Sequence, residues 1–178
     1  MDLKEALERA MRAEIEGREL YRIAAEQNAD EKAKETFACL SREEDSHFEA
    51  LKQLYGSLLE GGQMRIETLP RLIDLSDAKS PIFSERFKKQ LAGRHWEMSV
   101  LSIAIRLELD SVRFYRELAG ENAAFSDPVP TEGGTASGEL KNFFLELAEW
   151  EGTHLDSLER EIAALQDAYW EENNFSPF

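Results

Sequence analysis

Glu43-Glu44-Asp45-Ser46-His47 and Glu151-Gly152-Thr153-His154 each hold a histidine three residues after a glutamate, within stretches whose apolar residues recur at helical spacing. Around the first, the stripe runs Ala33, Phe37, Leu40, Glu44, His47, Leu51, Leu54, Leu58. Around the second it runs Leu140, Phe144, Leu147, Glu151, His154, Leu158, Leu165. Alternating steps of three and four trace one face of a helix, so the Glu and His of each pair share the face turned to the interior. A carboxylate on such a face costs several kcal/mol unless it is neutralised or bound to something positive. Two such stripes call for a cation.

Glu-x-x-His alone arises easily in a glutamate-rich chain, but the sequence repeats itself around these positions. A shift of 94 residues carries Leu7, Ala10, Arg12, Glu14, Tyr21, Arg22 and Ala25 onto Leu101, Ala104, Arg106, Glu108, Tyr115, Arg116 and Ala119. A shift of 107 carries Phe37, Leu40, Glu44, His47 and Leu51 onto Phe144, Leu147, Glu151, His154 and Leu158. The chain reads as a duplicated helical hairpin. The 13-residue difference between the offsets falls in the Gly/Pro/Ser-rich stretch Ser126 to Gly138, a longer turn in the second half.

Punctuation along the chain sets the expected elements. Asp2 with Glu5 has the spacing of a capping box, opening a first helix over about 2–28. Asp30 caps a second over about 30–60, which Gly61-Gly62 stops. Residues 61–94, with Pro70, Pro81 and a short helical stretch after Ser84, form a long crossover. A third helix follows at about 95–119, and Ser137 caps a fourth over about 137–169. The tail from Trp170 to Phe178, with its aromatics, is expected to dock or to sit at an interface. The reading is an all-α four-helix bundle forming one domain over residues 1–178, with helices 2 and 3 parallel because the crossover can run the length of the bundle.

Composition narrows the function. At 178 residues the chain can bury about 70% of its unfolded surface as one domain. A formal charge of −15 argues against nucleic acid and anionic membrane as partners. No apolar run approaches a membrane span and the N-terminus lacks an apolar signal region, so a cytoplasmic protein is expected. The single cysteine, Cys39, excludes an intrachain disulfide and any cysteine-cluster metal site, and it reads as an inert packed thiol. His95 reads as a surface histidine, and Trp96, Trp150 and Trp170 as packing residues.

Glu14 lies on the stripe Leu3, Leu7, Ala10, Glu14, Gly17, Tyr21, Ala24, and Glu108 on Leu101, Ala104, Glu108, Ser111, Tyr115, Leu118. With Glu44, His47, Glu151 and His154 they make four inward glutamates and two inward histidines near the midpoints of four helices. That is the donor set of a carboxylate-bridged dimetal site, in which four carboxylates offset two divalent ions. Oxygen and nitrogen donors without sulfur suit iron or manganese and admit zinc. The alternative is a bundle whose acids are solvated. Tyr21 and Tyr115, seven residues after Glu14 and Glu108, either bond a ligand carboxylate or are simply amphipathic core aromatics.

The chain resembles the ferritin-like domain of the rubrerythrin family over nearly its whole length, through Glu14 with Leu20-Tyr21, Glu43-Glu44-Asp45-Ser46-His47, Glu108 with Phe114-Tyr115, and Glu151-Gly152-Thr153-His154. The resemblance implies two iron ions on Glu14, Glu44, His47, Glu108, Glu151 and His154. It implies an oxidoreductase that reduces hydrogen peroxide or O2, or that oxidises ferrous iron, and commonly a homodimer. Two departures bear on this. The family's rubredoxin module with four cysteines is missing, so electrons would come from an external donor such as a rubredoxin-like protein. Ser111 stands where the family carries an extra glutamate one turn after the third-helix ligand. Iron handling and a bundle whose metal only stabilises the fold stay open beside the oxidoreductase.

Overall fold

The computed structural model describes residues 2–60, 95–120 and 136–172, and among them every regular element is a helix. These are α1 (Leu3–Gln27), α2 (Glu31–Leu59), α3 (His95–Ala119) and α4 (Ala136–Glu172). Two antiparallel hairpins, α1 with α2 and α3 with α4, pack as an all-α four-helix bundle. The crossover expected at 61–94, the turn from Ser126 to residue 135, the His95 and Ser137 side chains and residues 173–178 lie outside what is described, and Ser137 is the second residue of α4 where a cap was expected.

Capping chemistry fixes where the first hairpin starts and turns. Asp2 accepts from the Glu5 amide at 2.7 Å while Glu5 accepts from the Asp2 amide at 3.1 Å, the reciprocal box that the sequence spells. At the turn, Asn28 Oδ1 accepts from the Asp30 amide at 3.0 Å, and Asp30 in turn accepts from the Ala33 amide at 3.0 Å. Both α2 ends follow the sequence signals, with Asp30 at its N-cap and Glu60 at its C-cap.

Two apolar layers divide the bundle. One takes Leu3, Ala6, Leu7 and Ala10 from the start of α1, Leu51 and Leu54 from the end of α2, Tyr115 and Leu118 from the end of α3, and Leu140, Phe144 and Leu147 from the start of α4. The other takes Tyr21 and Ala24, Phe37 and Leu40, Leu101 and Ala104, and Leu158 and Leu165 from the opposite ends of the same helices. Starts of α1 and α4 therefore meet ends of α2 and α3. α2 and α3 point the same way, as a duplicated hairpin requires. Repeat partners fall in opposite layers, Phe37 in one and Phe144 in the other, so the duplication is a two-fold relation in space.

Three expectations need correction. α4 continues through residue 169 to Glu172, so Trp170 belongs to a helix and not to a docked tail. It is 38% exposed and does not serve as a core residue. The cause is length, since α4 has 37 residues against 25 in α3. Cys39 is only half-buried, with Arg42 Nη2 donating to its sulfur at 2.8 Å. No helix among the described residues is long and apolar enough to cross a membrane.

Phe37 and Phe144 are both fully buried, at 0% exposure, in the two layers. Replacing either with Ala is expected to destabilise the fold by about 3–5 kcal/mol, and by similar amounts at the two positions, when unfolding is followed in urea.

Candidate metal centre

Between the two layers the bundle buries Glu14, Glu44, His47, Glu108, Glu151 and His154, none more than 4% exposed. The six fall into two overlapping groups. Glu14, Glu44, His47 and Glu151 each offer a donor atom within 4.8 Å of the others, and so do Glu44, Glu108, Glu151 and His154. Glu44 and Glu151 belong to both groups, while each group has one further glutamate and one histidine of its own. The six residues that the stripes single out are thus brought together.

The imidazoles face the carboxylates edge-on. His47 Nδ1 lies 3.3 Å from Glu14 Oε2 and 3.2 Å from Glu151 Oε1. His154 Nδ1 lies 3.3 Å from Glu151 Oε2 and 3.5 Å from both Glu44 Oε1 and Glu108 Oε1. The rings are near parallel, 16° apart with centroids at 6.1 Å. Yet Glu14 Oε2, Glu44 Oε1, both Glu151 oxygens, His47 Nδ1 and His154 Nδ1 have no partner in hydrogen-bonding geometry. Buried polar atoms are nearly always satisfied. A convergent set of unsatisfied oxygen and nitrogen donors, without sulfur, fits divalent cations that prefer such ligands.

Both tyrosines bond carboxylates, and they do so across the bundle. Tyr21 on α1 donates to Glu108 on α3, and Tyr115 on α3 donates to Glu14 on α1. This reciprocal pair follows from the antiparallel run of α1 and α3, which sets each tyrosine beside the other helix's glutamate. Burial, and next the facing glutamate, hold both phenols well above their ordinary pKa, so each remains a donor.

Without metal, the cluster balances its charge with protons. Burial, then repulsion from Glu151, raises Glu108 to about 8, and burial with Glu151, Glu14 and Glu108 raises Glu44 well above the carboxylate range. Burial opposes charge on His47 and on His154, but the surrounding glutamates outweigh it and raise both. Burial likewise disfavours the Glu151 carboxylate, yet the two histidines outweigh it and hold its pKa low.

Two features escape the sequence reading. Glu43, 2% exposed, meets His154 Nε2 through its Oε2 at 2.8 Å. The signal was present, since Glu43 lies three residues after Leu40 and four before His47, on the flank of the same stripe. The second is a cleft of about 170 Å³ between α1 and α3, lined in part by Arg9, Gly17, Glu44, Glu108, Ser111 and Phe114. It exists because residues 17 and 111, one turn past Glu14 and Glu108, are small. A Cβ on Gly17 would stand 3.3 Å from the Glu44 carboxyl group.

These protonations set a sign for pH. The metal-free fold holds a proton on Glu108 from its ordinary value near 4.5 up to about 8, where the unfolded chain has none. Stability then falls as pH rises through that window, and the raised histidines act in the same direction. The metal-free protein is expected to melt at a lower temperature at pH 8 than at pH 5.5, measured by circular dichroism. A metal-loaded sample is expected to hold its ions more tightly at pH 8, because binding expels these protons.

No curated protein and no solved structure matches the chain. The family model described as Rubrerythrin matches residues 5–71, the segment that contributes Glu14, Glu43, Glu44 and His47. With the bundle and its buried donors, that match is consistent with a ferritin-like domain of rubrerythrin type, and it covers the first hairpin alone.

Proposed function

We propose that this protein binds two iron ions and reduces hydrogen peroxide with electrons from an external donor. The observation that carries the reading is the overlap of the two donor groups, with Glu44 and Glu151 common to both and a glutamate and a histidine private to each. Bound there, an iron pair supplies the two electrons that convert one peroxide and two protons into two waters. Everything else falls to the chain. Glu44 and Glu151 each have two oxygens with which to serve both positions, and Tyr21 and Tyr115 orient Glu108 and Glu14. Apolar layers on both sides keep bulk water out, while the cleft at Gly17 and Ser111 leaves one small approach to Glu44 and Glu108.

Iron handling is the competing reading, and one observation favours it. The exposed Glu16 and Asp110 also line the cleft beside Arg9, and this excess of acids over cations attracts cations. Ser111 bears on the peroxidase instead, because the resemblance implies a further carboxylate one turn past Glu108 and this chain has none there. The two readings part on turnover. Repeated cycles of peroxide consumption with a supplied reductant support the peroxidase, and Fe(III) accumulating beyond two per chain supports handling.

Metal content checks the assignment first. The purified protein is expected to bind two transition-metal ions per chain, and Glu44→Gln with Glu151→Gln to bind neither while the helices persist by circular dichroism. Two ions retained in the double variant would remove the site. The cleft is tested separately: Ser111→Leu is expected to leave the metal count at two and to slow oxidation of the ferrous protein by peroxide in stopped flow. With the parent, peroxide is expected to react faster than O2.

A further inference from the structure

The offset of 107 that carries Glu44 onto Glu151 and His47 onto His154 carries Glu43 onto Trp150. At this one place beside the centre the duplication exchanges a carboxylate for an indole. The consequence is visible in space. His154 Nε2 bonds Glu43 Oε2 at 2.8 Å, and the same ring's Nδ1 faces Glu44, Glu108 and Glu151 at 3.3–3.5 Å. With Nε2–H donating to the carboxylate, Nδ1 keeps its lone pair for the centre. His47 turns its Nδ1 to Glu14 and Glu151 in the same manner, but its ring stands 5.2 Å from that of Trp150, tilted by 59°. His47 Nε2 has no hydrogen-bond partner among the described residues.

A carboxylate behind a metal-binding imidazole fixes the tautomer, locks the ring and makes the ligating nitrogen more basic. Only one of the two histidines has it. Glu43 also brings a fifth buried carboxylate to a centre whose four others already match two divalent ions, and it brings it to one side. We propose that Glu43 is a positioning residue that makes the two metal positions unequal: the position formed with Glu108 and His154 fills first and holds its ion, and the one formed with Glu14 and His47 binds more weakly and exchanges. This rests on the dimetal reading above. It goes beyond that reading by assigning different affinities to positions that the duplicated sequence would make alike. An indole cannot substitute for Glu43, since its N–H only donates.

The test is a Co(II) titration of the metal-free protein, followed by visible absorption in competition with a chelator. The parent is expected to bind two ions in separate steps. His154→Ala removes the tighter step, and His47→Ala removes the weaker one. Glu43→Ala weakens the tighter step by about 10- to 100-fold and leaves the other in place. Glu43→Gln keeps an acceptor for Nε2–H without the charge, and weakens the same step by a smaller factor. It also shifts the absorption bands of the first-bound ion, which a merely structural role would not do. Equal affinities in the parent, the reverse order in the histidine variants, or a tighter step unchanged in Glu43→Gln would each overturn the proposal. Should Glu43→Ala fail to fold, the isosteric Gln variant decides alone. Failure of the parent to bind any Co(II) would instead overturn the dimetal reading itself, and this inference with it.

Discussion

Four glutamates and two histidines converge, buried between two apolar layers, and that convergence is the constraint around which the rest is arranged. Carboxylates at such separations repel, and burial makes the repulsion strong. The molecule has two ways to relieve it. Protons do so in the metal-free fold, where Glu44 and Glu108 are shifted far toward their neutral forms. Cations do so otherwise, and several donor atoms are left without hydrogen bonds in geometry suited to receive them. Metal affinity, pH dependence and fold stability are therefore one linked quantity.

The duplicated hairpin is an economical way to build such a site. Each half brings one glutamate on its first helix and a Glu-x-x-His on its second, and the two-fold relation sets the halves face to face. Apolar layers at both ends, exchanged by the same relation, hold the helices in register. Tyr21 and Tyr115 then tie the halves together at the site itself, each bonding the other half's glutamate. The symmetry stops at Glu43 and Trp150, and there the two histidines acquire different surroundings.

Much of this was legible in the sequence, for a physical reason. Helical periodicity locates buried faces, and a glutamate on a buried face is anomalous enough to point to its own role. Glu14, Glu44, Glu108 and Glu151 emerged in this way, and the repeat separated them from neighbours such as Glu16. The same filter hid Glu43, because a residue without a repeat partner is discarded by an argument from repetition. Which carboxylate each tyrosine bonds depends on the relative height of α1 and α3, which no spacing along one helix encodes. The expected end of α4 at 169 falls three residues short because no proline or glycine marks the stop, and Trp170 lies on the helix, partly exposed. The cleft depends on a close approach of Gly17 to Glu44 that periodicity cannot weigh.

Anomalous diffraction from crystals of the iron-loaded protein, collected on both sides of the iron edge, tests the central claim most directly. Two iron peaks per chain are expected, both within ligand distance of Glu44 and Glu151, one also at Glu14 and His47, the other also at Glu108 and His154. A single peak, or iron bound only away from these six side chains, would contradict it.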